Sequence, residues 1–257
     1  MKHPALQTSR IGTRHLSGFT LIELMIAITV AIFLVGGLLM MVQSTRNTVT
    51  TQTQLAQLQD NERLVLTFMT EVIESTGYFP DPHTYTAAQV MPVAPSFATA
   101  GQAVSGIYAG GVAPGDTVSI RYGAGLNDDV FNCRGTKNAV GPYDTFVNTF
   151  WINNANPNNP ILTCTFSSGA VPLPGVQVPL VNGVQNLTVL YGVKKNPVDT
   201  GTCTDTYLNA GQMLAADWSN VCTIKITVTF INPLNTGPAT IPITRVIAVM
   251  NTAGVNT

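Results

Sequence analysis

The chain has 257 residues and a formal net charge of −1, and charged side chains make up only 10% of it. That balance leaves no basic footprint for nucleic acid. The length allows one soluble domain beside an N-terminal segment of a different kind, and the abundance of uncharged Asn and Thr suits a secreted, surface-facing module.

Residues 1–18 form a short basic leader with Lys2, Arg10 and Arg14 and no acid. After it, Phe19 to Val42 is apolar apart from Thr20, Glu23 and Thr29, and no ionisable side chain occurs from Leu24 to Thr45. A helix needs about 20 such residues to cross a bilayer, so one span over about 19–42 is predicted. The positive-inside rule keeps the leader in the cytoplasm and sends everything after Arg46 outward, which in a bacterium is the periplasm.

A secretory signal would be cut after its apolar stretch, whereas here the candidate cut precedes it, between Gly18 and Phe19. Glu23 is the anomaly, because a carboxylate near the start of a spanning helix is costly without a partner. The amino group that a cut would create on Phe19 is one turn away, and a neighbouring copy shifted along the axis would supply the same group, making Glu23 an assembly register.

Gly18-Phe19-Thr20-Leu21-Ile22-Glu23-Leu24-Met25 resembles the class III signal of type IV pilins and type II secretion pseudopilins. The resemblance implies that Gly18 precedes the cut made by the prepilin peptidase, that Phe19 becomes the N-methylated first residue, and that Glu23 is the helix-packing glutamate. Loss of Lys2, Arg10 and Arg14 from the 12 basic residues would leave the mature chain mildly acidic against its 13 Asp and Glu.

Leu55, Leu58, Val65, Phe68, Met69, Val72 and Ile73 recur at three- and four-residue steps, so the helix is predicted to continue past the membrane, over 19–76 in all. Gly36-Gly37 is a place for it to bend. Gly77 is a plausible C-cap, and Pro80 and Pro82 forbid simple continuation.

Residues 77–257 then read as a β-rich globular domain with long loops. Asp81 to Gly115 is rich in Ala, Pro, Gly and Ser, and is expected to be a long loop with at most short elements. Val118, Ile120 and Tyr122 alternate with Ser119 and Arg121 as a half-buried strand, and Leu187, Val189, Tyr191 and Val193 mark a second.

The clearest strand is Cys222 to Phe230, with apolar residues on one face and Thr and Lys on the other; Ile241 to Met250 is the last, with Pro242 arguing for an edge or a strand start over a central position. Residues 153–160 and 172–179 read as loops, and Tyr143 to Asn159 reads equally as a polar loop around a strand. The expected fold is α+β, one long helix packed on an antiparallel sheet.

Cys133, Cys164, Cys203 and Cys222 lie in the part expected to be oxidised, and no C-x-x-C occurs. Four cysteines allow three connectivities; sequential pairing of Cys133 with Cys164 and Cys203 with Cys222 closes the shortest loops. Their spacing does not suit zinc. Gly123 to Asp129 carries oxygens of the kind that hold calcium but lacks the EF-hand order, and a solvated turn is the expectation. His83 is the one histidine beyond the leader, and no motif for metal-assisted or Ser-His-Asp catalysis occurs. No enzyme and no cofactor are expected.

Further pieces narrow the resemblance: Phe131-Asn132-Cys133-Arg134-Gly135, Leu162-Thr163-Cys164, Pro179 to Leu187 followed by Tyr191-Gly192, and Asp217-Trp218-Ser219-Asn220-Val221. In this order they are similar to the PilW family of minor pilins. That implies a subunit that joins other minor pilins and the major pilin through its N-terminal helix, and that primes or caps a type IV pilus at its tip. The inner membrane would hold it before assembly, and the cell surface afterwards. The J-type minor pseudopilins of type II secretion share the plan, and a tip adhesin using loops 81–115 or 153–160 is the reading from a different class.

Overall fold

The computed structural model describes residues 18–196, 203–234 and 237–250. The leader reading rests on residues that, Gly18 apart, lie outside this set. The first element is α1, Leu21–Glu74, a single helix of 54 residues with bounds close to the predicted 19–76. The chain divides into two compact units, one ending at Thr53 and the other starting at Gln54.

In the first unit the helix surface is apolar and open. Every large apolar side chain from Leu21 to Val42 is exposed, Phe33 to 87%, and the segment is long and apolar enough to cross a membrane. The hydroxyls of Thr29, Thr45, Thr48, Thr50 and Thr53 donate back to carbonyls one turn earlier at 2.8–3.0 Å. Such back-bonding satisfies a hydroxyl without water. The helix runs unbroken through Gly36-Gly37.

In the second unit α1 changes role: Leu58, Val65, Met69, Val72 and Ile73 are buried on one face. They pack on the inner faces of two antiparallel sheets, where a single sheet was expected. The first sheet is a five-stranded meander of β1 (Val104–Ile107), β2 (Thr117–Gly125), β3 (Tyr143–Asn153), β4 (Ile161–Ser167) and β5 (Val176–Asn182), in that order. The second has four strands in the order β7 (Thr206–Leu208), β6 (Val184–Val193), β8 (Thr223–Ile231) and β9 (Thr240–Ala248). A short helix α2 (Ala87–Val90) and a 3-10 turn at Asp217–Asn220 complete the elements.

The strict alternation of β8 has its expected consequence: Ile224, Ile226, Val228 and Phe230 are buried and the threonines between them half-buried. β9 lies at an edge, where Pro242 costs no central ladder bond.

Two further expectations are corrected. β2 is buried on both faces instead of one, because residues 79–103 fold over its outer face and Arg121 is 1% exposed. The 81–115 stretch, by contrast, is the expected loop with only short elements, α2 and β1, in it. Part of the 172–179 loop is strand, since β5 begins at Val176, where alternation with Gln177 and Pro179 on an exposed edge hid the signal.

The sheets are joined where the chain leaves β5 for β6 at Gly183, whose φ of +77° suits glycine, and Pro160 O accepts the Gly183 N–H at 2.8 Å. They are also held by Asp116, whose buried carboxylate accepts Ala109 N–H and Val189 N–H, each at 2.9 Å. The approach is close: a Cβ on Gly115 would meet Leu187 O at 2.3 Å.

Candidate functional site

The N-terminal segment carries the expected site residues. Nothing lies within 4 Å of a Cβ built on Gly18, and Phe19 is 87% exposed. Thr20 immediately precedes α1 and forms a capping box with Glu23. Glu23 Oε2 accepts the Thr20 N–H at 3.2 Å and the Thr20 hydroxyl at 3.1 Å, and Thr20 Oγ1 accepts the Glu23 N–H at 3.3 Å. With Phe19 still in peptide linkage to Gly18, the carboxylate thus finds its partners in Thr20. The T-x-x-E spacing was the overlooked signal for Thr20.

Such a box satisfies two amide donors at a helix start and places a negative charge on the favourable end of the helix dipole. It also occupies Oε2 alone. The arrangement fixes the orientation of the Glu23 carboxylate at the helix start.

Far along the chain, the four cysteines form two disulfides, Cys133–Cys164 with Cα atoms 6.4 Å apart and Cys203–Cys222 with Cα atoms 6.0 Å apart. These are the sequential pairs. The first is held by a buried polar chain that the sequence did not announce. Cys133 N–H donates to Asn148 Oδ1 at 2.8 Å, the Asn148 amide donates to Tyr122 Oη at 3.1 Å, and Tyr122 donates to Phe131 O at 2.6 Å. Burial raises the Tyr122 phenol well above its ordinary range, so it stays a neutral donor.

Around the second disulfide, Lys195 Nζ lies 2.6 Å from Asp217 Oδ1, and Asp217 also accepts Leu214 N–H at 2.8 Å. Burial alone would raise the Asp217 carboxyl; the Lys195 ammonium and the Leu214 amide outweigh it and hold it below the usual range. Asp205 is lowered by the N–H groups of Lys195 and Asn196 and by the Thr206 hydroxyl. Trp218 packs edge-on against Tyr191 with centroids 4.9 Å apart.

The two carboxylates considered for calcium have protein partners. Asp128 Oδ2 accepts Gly125 N–H at 2.8 Å and the Tyr78 hydroxyl at 3.2 Å, and Asp129 pairs with Lys137 at 2.5 Å. Among the described residues, no group of three or more His, Cys, Asp or Glu side chains is placed to hold a metal. His83 is exposed in a turn.

With this geometry in view, two family matches acquire a physical meaning. Residues 149–239 match the family described as Type IV Pilus-assembly protein W, and residues 14–39 match the prokaryotic N-terminal methylation motif. The chain matches a PilW-family pilin with a prepilin-type motif. No curated protein and no solved structure matches it.

In this type IV pilus-related pilin, the PilW-like pieces are framework. Asn132 Oδ1 accepts the N–H groups of Arg134 and Thr136, turning the chain around Cys133. Gly183 switches sheets, Asp217 accepts the Leu214 N–H and anchors Lys195, and Trp218 packs edge-on against Tyr191. Turns, a sheet switch and disulfides of this kind are framework, which fits a structural protein.

Proposed function

We propose that this chain is a minor pilin that primes or caps type IV pilus assembly at the filament tip. The observation that carries the reading is the contrast along α1. Its segment up to Val42 exposes nearly all of its apolar side chains at a prepilin-type motif, whereas the chain from Gln54 onward builds a buried apolar core of its own. Such a surface is stable only in lipid or against other helices of its kind.

On this reading the prepilin peptidase cuts between Gly18 and Phe19, Phe19 is N-methylated, and the segment 19–42 holds the protein in the inner membrane with residues 77–257 in the periplasm. Other minor pilins and the major pilin then pack against the same helix. Glu23 keeps its capping bonds on Oε2 and offers Oε1 to the amine of a neighbouring subunit, which fixes register along the axis. The match over residues 149–239 favours a pilus over a secretion pseudopilus.

The test is the amount of pilin sheared from cells lacking the gene, compared with cells complemented by the wild type or by Glu23→Ala. Loss of surface pili, restored by the wild type and not by Glu23→Ala although the variant is processed and inserted, is the expected result. Unchanged pili in the deletion strain would refute a priming role.

A further inference from the structure

The outer face of the five-stranded sheet, turned away from α1, holds a groove of about 310 Å³ that the assembly reading does not use. That volume is at the lower end of the range for small-molecule sites, about 300–1,000 Å³. Its floor is the outward row of β3 and β4: Thr145, Val147 and Thr149 beside Thr165 and Ser167.

Both walls are tied down. On one side, residues 94–97 close a tight turn through paired backbone bonds between Ala94 and Phe97 at 2.9 and 3.0 Å. Arg121 fixes that wall from beneath. Its guanidinium stacks 4.3 Å from the Phe97 ring centroid and donates to the carbonyls of Gln102, Pro92 (2.5 Å) and Thr99 (3.1 Å). Burial without an acidic partner lowers its pKa to about 10, which still leaves it charged at neutral pH. On the other side, Ser168 and Val171 exchange backbone bonds, and Asp144 accepts the N–H groups of Gly169 (2.9 Å) and Ala170 (3.5 Å). A site built this way is preformed, so a ligand does not have to order it.

The hydrogen-bonding state of the floor identifies the ligand class. Thr165 Oγ1 accepts the Trp151 indole N–H at 2.9 Å, and Ser168 Oγ accepts Ala170 N–H and Val171 N–H at 3.2 and 3.1 Å. Each therefore keeps its own O–H to donate. Thr145 donates to Val90 O and keeps lone pairs to accept. Ser167 is 93% buried by its neighbours, being 7% exposed, and its hydroxyl has no protein partner. The two charged groups at the groove, Arg121 and Asp144, are both engaged by protein atoms.

The groove thus presents several unspent donors and acceptors close together, no unengaged charge, and apolar walls of Pro92, Pro95 and Leu173. Along the same face of β3, the half-buried Trp151 ring adds an apolar surface. Adjacent ring hydroxyls, each both donor and acceptor, over a C–H face are the ligand that matches both parts.

We propose that this groove binds a carbohydrate, one to two sugar rings in size, with Ser167, Thr165 and Ser168 donating to ring hydroxyls. The proposal is independent of the priming role, since it concerns the sheet face and not the helix.

The test uses the full chain in lipid nanodiscs, which avoids glycoside detergents, titrated with N-acetylglucosamine, galactose, lactose and glucuronic acid and read by tryptophan fluorescence. At least one sugar is expected to saturate. Ser167→Ala should weaken it roughly three- to tenfold, the loss of one hydrogen bond, and Val147→Trp, which fills the floor, should abolish it. Both variants should keep their disulfides, melting temperature and surface pili. No sugar saturating below about 10 mM, or a sugar bound equally by the wild type and Ser167→Ala, would overturn the assignment. So would saturation by a proline-rich peptide where no sugar saturates.

Discussion

The two stretches of α1 on either side of Thr53 share one secondary structure and opposite fates for their apolar residues. Before it, Leu21, Ile32, Phe33 and Leu39 lie in the open; after it, Val65, Met69 and Ile73 are 1% exposed or less. The difference is in pattern. Up to Val42 the first stretch is apolar all round apart from Glu23 and Thr29, which no single sheet surface can cover, and the second is apolar on one stripe, which a sheet covers well. One stretch completes itself against the chain's own strands, while the other is incomplete until lipid or another subunit surrounds it.

The sharpest way to break that comparison is to delete the same kind of side chain on each side. Met69→Ala removes a fully buried side chain from the junction of helix and sheets and should cost about 2–5 kcal/mol. Ile32→Ala, 67% exposed in the wild type, should leave the unfolding midpoint of the 54–250 unit unchanged. Chemical denaturation of the two variants in the same lipid nanodisc checks both; equal losses would mean that the helix unfolds as one piece regardless of burial.

The disulfides sharpen the same contrast, since both lie in the second unit. Cys203→Ala with Cys222→Ala opens a loop of sequence separation 19 and should cost roughly 3 kcal/mol. Removal of Cys133–Cys164, of separation 31, should cost a similar or slightly larger amount on the same chain-entropy argument. Helicity of the segment before Thr53 should survive either change. Circular dichroism across a reductant titration reads the two regions together, and a helical loss proportional to the loss of sheet would contradict the division.

Legibility in the sequence followed the same boundary. The apolar run, the Glu23 anomaly and the strand 222–230 were plain because one physical pattern governed each. The division into two sheets was hidden, because the pivot is one glycine, Gly183, inside a stretch that reads as continuous strand and turn. β3 was ambiguous because its outward residues Thr145, Thr149 and Trp151 are polar or large without being charged. Alternation places Arg121 on the polar face of a half-buried strand and is silent about a loop folding over that face. Thr20 is legible as the start of a T-x-x-E spacing, which the apolar run around it masks.

The smallest expected effect concerns pH and is confined to the second unit. Asp205 and Asp217 both titrate below the ordinary value of 3.8, because amide donors hold Asp205 and the Lys195 ammonium with the Leu214 amide holds Asp217 against its burial. A carboxylate whose folded pKa is depressed contributes stability that is fully present above the unfolded value and is lost as pH falls through the folded one. Melting temperatures should therefore be flat from neutral pH down to about pH 5 and fall only below the ordinary carboxylate range. Asp217→Asn should flatten part of that fall. The segment before Thr53 should hold its helicity over the same range, so an acid-induced loss that starts there instead would show that the lowered carboxylates do not set the acid limit of this chain.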